Sequence, residues 1–184
     1  MKTTFTASAL FTLLPAALAD VFGGMAVRSA SPIHFNTVSA NGGTFWLQKP
    51  TSTYCPEGID GLTCPVGNNQ TLFAGGEGTL ALSVVVPGGQ QVYIAPDGKL
   101  SFTQAHSAYI PTGSIRDGFS RDWRPAQNLG FLQWTNGFVA CPTNGTSGPY
   151  QIYGARDDVT LPENCLGFSM IATNSSGVGA WQYA

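Results

Sequence analysis

The chain has 184 residues, a formal net charge of −2 and only 10% charged residues. It contains no run of basic residues, which argues against a nucleic-acid partner. Because 43% of the residues are hydrophobic and 11% aromatic, the composition differs from that of a disordered protein and can supply a packed core.

The first residues have the three parts of a secretory signal peptide. Lys2 gives a positive start, an apolar run follows, and Ala17 and Ala19 form a small-residue cleavage motif. The apolar run is shorter than the about 20 residues that a membrane-spanning helix needs. We therefore predict a signal peptide over residues 1–19, rather than a buried N-terminal helix. The product is expected to be secreted, to start at Asp20 and to have no membrane partner.

Residues 20–184 are predicted to form a single all-β domain. Glycine and proline recur every few residues, and β-forming runs such as GGMAVRSA, GTFWLQ, GTLALSVVVP and LGFSMIA follow one another. Their spacing of roughly 8–14 residues is typical of a compact antiparallel sandwich or barrel-like domain. A β-trefoil is the alternative, since many short strands would also suit it.

Two tight hairpins are predicted from their turn dipeptides. Asp97-Gly98 lies between QQVYIA and KLSFTQ, and Asn136-Gly137 lies between GFLQW and FVACP. Both dipeptides tolerate the positive φ that two-residue hairpin turns require.

The region after the first hairpin is predicted to contain a strand and then a long loop. We interpret TQAHSAYIP as the strand, with His106 packed in it or at its edge. Residues 111–128 break the alternation and concentrate charge of alternating sign, which is typical of a surface loop. The charged residues there are Arg116, Asp117, Arg121, Asp122 and Arg124.

The chain has four cysteines, Cys55, Cys64, Cys141 and Cys165. An even number in a secreted protein indicates two disulfides, and four cysteines allow three connectivities. We favour Cys55–Cys64 and Cys141–Cys165, because each would close a loop rich in proline, glycine and asparagine. Each bond would contribute about 2.5–3.5 kcal/mol by loop entropy. The spacings do not match those of a zinc site.

Three sequons predict N-glycosylation, at Asn69, Asn144 and Asn174. Sugars at these positions would add solubility to a chain with few charges.

No catalytic, cofactor or metal motif is recognisable. The sequence has no G-x-S-x-G element, and its two histidines, His34 and His106, have no ligand spacing. The ten acidic residues include many in turn contexts, so they predict no glycosidase pair. We predict a protein without catalytic residues, cofactors or metal.

Carbohydrate binding is a possibility that the aromatic residues keep open. Trp123 and Trp134 are the tryptophans that we expect to be exposed, the first in the charged loop and the second before a turn. Exposed rings can stack on sugars, although aromatic residues also dominate ordinary β-cores. A secreted carbohydrate-binding protein or effector, and less so a polysaccharide hydrolase, is therefore the alternative function.

The whole sequence resembles fungal secreted cell-wall proteins related to PhiA. The resemblance rests on FGGMAVRSASPIHF, QQVYIAPDGKLSFTQAHSAYIP, GFVACP, PYQIYGARDD, CLGFSMIA and AWQY. It implies a secreted, non-enzymatic protein of the cell wall, with wall polysaccharide or other wall proteins as partners. It also implies a link to phialide and conidium development and to IgE-binding allergens.

Overall fold

The computed structural model describes residues 20–65, 70–127 and 129–184. Residues 1–19, where the signal peptide is predicted, lie outside this part of the chain. The described residues form β-strands and one short 3-10 turn, Pro125–Gln127. The strands are β1 (Val21–Val27), β2 (Ser39–Asn41), β3 (Thr44–Leu47), β4 (Thr53–Tyr54), β5 (Leu72–Leu82), β6 (Gln90–Ile94), β7 (Leu100–Phe102), β8 (Phe119–Arg124), β9 (Leu129–Trp134), β10 (Phe138–Asn144), β11 (Ser147–Gly154), β12 (Leu166–Ser175) and β13 (Gln182–Tyr183).

Nine antiparallel strands close into a barrel. Their order around the barrel is β12, β10, β11, β3, β7, β6, β5, β8 and β9, and β9 pairs again with β12. The predicted all-β fold with barrel-like closure is therefore confirmed, in place of the sandwich and trefoil alternatives. Within the described ranges, no helix is long and apolar enough to cross a membrane.

β1 divides the barrel by pairing with two of its strands. It runs antiparallel to β12 from Val21↔Ser175 to Val27↔Ser169, and its first three residues also pair with β5. Since β5 pairs with β8, β8 with β9 and β9 with β12, these strands and β1 close a smaller ring of five strands. We call it the five-strand ring.

The core is built from aromatic rings that connect different strands. Phe22 of β1 and Phe45 of β3 both stack on Phe73 of β5, with centroid distances of 5.7 and 5.4 Å. Phe102 of β7 meets Phe45 edge-on at 5.3 Å. Pairs of this kind contribute about 0.5–1.5 kcal/mol beyond the burial of their area.

The hairpin around Asp97-Gly98 forms as predicted. β6 pairs with β7 from Val92↔Phe102 to Ile94↔Leu100, and Gly98 has a φ of +84°. Both sides of this hairpin are buried, because Tyr93 is only 9% exposed.

The hairpin predicted at Asn136-Gly137 is wrong. β9 and β10 do not pair with each other; both pair with the same edge of β12, one after the other. Leu132 lies opposite Met170 and Phe138 lies opposite Phe168. Between these two pairs the chain from β9 to β10 contains five residues, whereas β12 contains only one, so the extra residues form a step in the barrel wall at the turn.

The predicted strand and long loop after β7 are also corrected. Residues 103–118 form an irregular segment with an isolated bridge between Ile94 and Ile115, and Tyr109 there is 73% exposed. Within the supposed charged loop, residues 119–124 form β8. Phe119 and Trp123 alternate there with polar residues, and this period of two was hidden by the charges.

Two disulfides and the hydrogen bonds of the last strand, β13, cross-link parts of the chain that are not adjacent in sequence. Cys55 is bonded to Cys64 and Cys141 to Cys165, the two pairings that the sequence favours. Tyr183 of β13 is buried, and its backbone N–H and C=O both bond to the amide of Gln90, at 2.8 and 3.0 Å.

Candidate functional site

Trp134 lies in the core, which corrects the prediction that it is exposed at the surface. It is 5% exposed, and its indole N–H donates to the carbonyl of Asp117 at 3.1 Å. On β9 it follows Gly130 and Leu132 on the buried side, so its ring is not an exposed platform for a sugar.

Trp123 is half-buried on β8, and one of its neighbours is a cation. The guanidinium carbon of Arg121 lies 5.3 Å from the centre of its ring. Part of the ring is therefore covered by protein, and the rest borders solvent.

The step between β9 and β10 opens a groove of about 290 Å³ in the barrel wall. Six of its lining residues come from β9, β10, β12 and the turn after β9, and we call this cavity the step groove. These residues are Phe131, Gln133, Thr135, Phe138, Phe168 and Ser169.

Two half-buried phenylalanines give the step groove an aromatic surface. Phe168 of β12 stacks on buried Phe138 of β10, with 6.0 Å between the ring centroids, and this contact fixes its orientation. Phe131 of β9 carries the guanidinium of Arg124 at 5.3 Å from its centroid. The two rings are thus held in place by packing before any ligand arrives.

Exposed amide and hydroxyl groups lie beside the rings. Gln133, Thr135 and Ser169 are exposed. The side chains of Gln133 and Ser169 form no hydrogen bond with the described residues, so their donors and acceptors face solvent, while the Thr135 hydroxyl donates to the carbonyl of Gly118 at 3.4 Å. Rings with neighbouring amide and hydroxyl groups suit a neutral ligand with many hydroxyls.

The electrostatics of the step groove are weak. Its lining contains no carboxylate, histidine or cysteine. The nearest ion pair joins Arg124 to Asp122 at 3.0 Å on the adjoining strand. Such a cavity offers binding surface, and its hydroxyl groups on Thr135 and Ser169 have no carboxylate or histidine beside them in the lining to act as general base.

The two histidines lie in different loops. His34 accepts a hydrogen bond at Nδ1 from the backbone N–H of Arg28 at 3.2 Å and stacks on Phe35. His106 is exposed at a turn with a φ of +60°, so the prediction that it packs in a strand is wrong. Within the described ranges, no three metal-ligating side chains come together.

The acidic residues near the end of β11 serve the fold. Arg156 donates to both carboxylate oxygens of Asp158, at 2.7 and 2.6 Å, and the bond holds the pKa of Asp158 below its usual range. Arg156 also donates to the carbonyl of Gly113 at 2.8 Å. This pair therefore fastens the segment 103–118 to the barrel.

The sequons that the structure describes lie on the surface. Asn144 is exposed at the tip of the β10–β11 hairpin, and Asn174 is exposed near the end of β12. Asn69 lies outside the described residues.

Sequence comparison places the chain in a class of secreted proteins. The family model described as PhiA-like secreted protein matches residues 22–184, and the chain belongs to that family. An uncharacterized secreted protein of Arthroderma benhamiae is 39% identical, over 79% of this chain and 76% of its own length. No solved structure gives a significant match. The resemblance on which the sequence analysis relied is confirmed.

Sequence analysis missed the step groove. Phe131 and Phe168 were present in β-forming runs, but nothing local marked them as neighbours. The available signal was the polar pair Gln133 on β9 and Thr135 just after it, which alternates with buried Leu132 and Trp134. That alternation places an amide and a hydroxyl on an outer surface, although it does not reveal a cavity there.

Proposed function

We propose that this protein is a non-enzymatic component of the fungal cell wall that binds neutral wall polysaccharide in the step groove. The observation that carries the proposal is the pair of fixed, half-exposed rings, Phe131 and Phe168, beside unbonded polar side chains. Family membership supports the secreted setting.

The size and charge of the step groove favour a polysaccharide. Its volume lies at the small end of ligand pockets, which hold about 300–1,000 Å³, and it is open to solvent. A polymer can place one or two sugar units in such a groove while the rest of its chain continues over the surface. Sugar rings present apolar faces to aromatic side chains, and their hydroxyls match Gln133 and Ser169.

A location in the cell wall gives a role to the glycans and suggests the type of cell. Glycans at Asn144 and Asn174 would project from exposed positions and add hydrated surface to a chain with few charges. The association of this family with phialide and conidium development suggests that the wall in question is that of spore-forming cells. IgE binding would then follow from abundance at the spore surface.

The test is a pull-down of purified mature protein on chitin and on β-glucan, with release of reducing sugars followed in the same tubes. We expect binding without release. Replacing Phe168 by Ala should weaken binding about ten-fold, since loss of a stacked ring typically costs about 1–3 kcal/mol by analogy with base stacking. The separate variant Gln133→Ala should also bind more weakly than the wild type, without a change in the circular dichroism spectrum.

The matched control is Phe35→Ala, which removes a 62% exposed ring elsewhere on the surface. Equal losses in Phe168→Ala and Phe35→Ala would mean that binding is nonspecific adhesion. Release of reducing sugar that requires a particular acid or His106 would instead establish the hydrolase alternative.

A further inference from the structure

Arg121 is a buried cation inside the five-strand ring. It lies on the inner side of β8, where its side chain is only 9% exposed. The guanidinium carbon is 4.9 Å from the ring centre of Phe22 and 5.3 Å from that of Trp123. Two aromatic rings thus flank the charge and replace much of its water.

Gly76 of β5, which has no side chain, leaves space for the side chain of Arg121. A Cβ on Gly76 of β5 would lie 3.0 Å from the Cβ of Arg121, and the φ of Gly76 is +97°. β5 therefore passes close to β8 at this point, and Arg121 fills the space between the two strands and β1.

Only part of the guanidinium is used. Nη2 donates to Oδ2 of Asp20 at 2.8 Å. Nη1 is buried and has no hydrogen-bond partner among the described residues. A guanidinium has five N–H donors, and a buried charge is costly unless it is paired and its donors are satisfied. Among the described residues, Nη2 thus binds a carboxylate while Nη1 beside it has no acceptor, as in a partly occupied anion site.

Asp20 is the kind of group that a ligand could replace. Its side chain is 62% exposed, and it holds Arg121 through a single oxygen. Water competes for the exposed Asp20 carboxylate but not for the buried Arg121, so this carboxylate is the partner that can be exchanged. An external carboxylate that displaced Asp20 and entered farther than Asp20 does would accept from Nη2 and also from the buried Nη1, which is the two-donor geometry that guanidinium groups favour.

We propose that Arg121 binds the carboxylate of an acidic sugar, a uronic acid unit of a polysaccharide, and that Asp20 occupies this site when the ligand is absent. The carboxylate of Asp20 shows which anion fits the guanidinium. The half-buried ring of Trp123 gives an apolar surface for the sugar next to it. The ligand is therefore a carboxylated pyranose rather than a bare anion.

This site is separate from the step groove. Along β8, Arg121 and Trp123 point to the inner side, whereas Asp122 and Arg124 point to the outer side, where Arg124 covers Phe131. The inference therefore does not rest on neutral polysaccharide binding, and Phe168→Ala should leave it unchanged.

The experiment is an NMR titration of the ¹⁵N-labelled mature protein with sodium glucuronate, and with glucose as the neutral counterpart. We expect saturable shifts of the Arg121 Nε–H and the Trp123 indole N–H with glucuronate only. Asp20→Asn should tighten glucuronate binding about two- to five-fold, because an internal competitor of the strength of an exposed ion pair is removed. Arg121→Lys should abolish the shift of Trp123, since lysine keeps the charge but lacks the planar fork.

Asp122→Asn is the matched control, because it removes the same charge at the residue next to Arg121 but on the other side of β8. If both Asp→Asn variants tighten binding equally, the effect is one of net charge and the proposal fails. Absence of saturation in both wild type and Asp20→Asn would also overturn it. Glucose 6-phosphate binding more tightly than glucuronate would refute the assignment to a carboxylate. If Arg121→Lys does not fold, the comparison of Asp20→Asn with Asp122→Asn decides alone.

Discussion

At the scale of single residues, Tyr183 connects the last strand to the core through its hydroxyl. The hydroxyl accepts a hydrogen bond from the N–H of Leu72 at 2.9 Å and donates to the carbonyl of Gln70 at 3.1 Å. Tyr183→Phe leaves a buried N–H and a carbonyl without this partner. We expect the free energy of unfolding to fall by about 1–3 kcal/mol, measured by urea denaturation. An unchanged urea midpoint would contradict this role of the hydroxyl.

The same residue predicts a loss of stability in alkali. Burial raises the pKa of Tyr183 from 10.0 to about 12. Above about pH 10 the unfolded chain releases this proton while the folded chain keeps it, so stability that is fully present below pH 10 is lost as the pH rises towards 12. By about pH 11, the proton released by Tyr183 on unfolding has lowered the free energy of unfolding by about 1 kcal/mol. Burial also raises the pKa of Tyr93 and Tyr153, so the measurement is the difference between wild type and Tyr183→Phe, whose stability should fall less steeply.

Gly130 and Gly167 make a second comparison at the residue scale. A Cβ on Gly130 would overlap the carbonyl oxygen of Asp122 on the neighbouring strand, whereas a Cβ on Gly167 would meet nothing within 4 Å. Gly130→Ala is expected to cost about 1–3 kcal/mol because backbone atoms must move. Gly167→Ala should be neutral or stabilise by up to about 1 kcal/mol. Thermal unfolding of both variants measures this, and equal melting temperatures would show that β8 and β9 can separate freely.

At the scale of elements, local signals predicted some strands well. The β6–β7 hairpin depends on its own turn, Asp97-Gly98, so its sequence contains the necessary information. β9 and β10 flank a similar turn, Asn136-Gly137, yet both pair with β12, which lies far along the chain. A turn dipeptide cannot report such a competing partner, and the predicted hairpin was wrong for this reason.

The candidate sites depend on the same distant pairing. Trp134 was expected at the surface because it precedes a turn, but the side of β9 that faces the core is decided by β12 and β8. Phe131 and Phe168 line one cavity only because of that register. The disulfide pairing was accessible from sequence because each bond closes a short segment, whereas the Arg121–Asp20 pair joins residues 101 positions apart.

Arg156 holds the segment 103–118 against the barrel through hydrogen bonds. It donates to the carbonyls of Gly113 and Ala95 while it pairs with Asp158. Arg156→Lys keeps the charge but cannot bond to all three groups at once. We expect amide hydrogen exchange at residues 112–116 to become about ten-fold faster, since these backbone bonds set the local opening free energy.

Lys99→Ala serves as the control for Arg156→Lys. It removes the exposed pair with Asp97 in the nearby turn, and neither side chain forms a hydrogen bond with the described residues of the segment. Exchange at residues 112–116 should therefore stay as in the wild type. Equal acceleration in both variants would mean that the segment responds to charge in general.

At the scale of the whole molecule, closure of the barrel requires segments from both ends of the chain. β1 contacts β12 across a separation of 150 residues, for example where the hydroxyl of Thr173 approaches the carbonyl of Gly23. Neither the nine-strand barrel nor the five-strand ring can close before β12 is in place. The aromatic contacts among β1, β3, β5 and β7 link the two rings into one core. Opening of either the nine-strand barrel or the five-strand ring should therefore open the other as well.

This coupling predicts that residues 20–184 unfold as one cooperative domain. Tryptophan fluorescence reports on Trp46, Trp123, Trp134 and Trp181, which lie in different parts of the barrel, and far-UV circular dichroism reports on all strands together. With the disulfides intact, the two probes should give coincident urea transitions, as two-state domains do. Refolding should take milliseconds to seconds, because most pairings are non-local. Separate transitions, with fluorescence changing before the strand signal, would show that the five-strand ring opens on its own and that the coupling through β1 is weak.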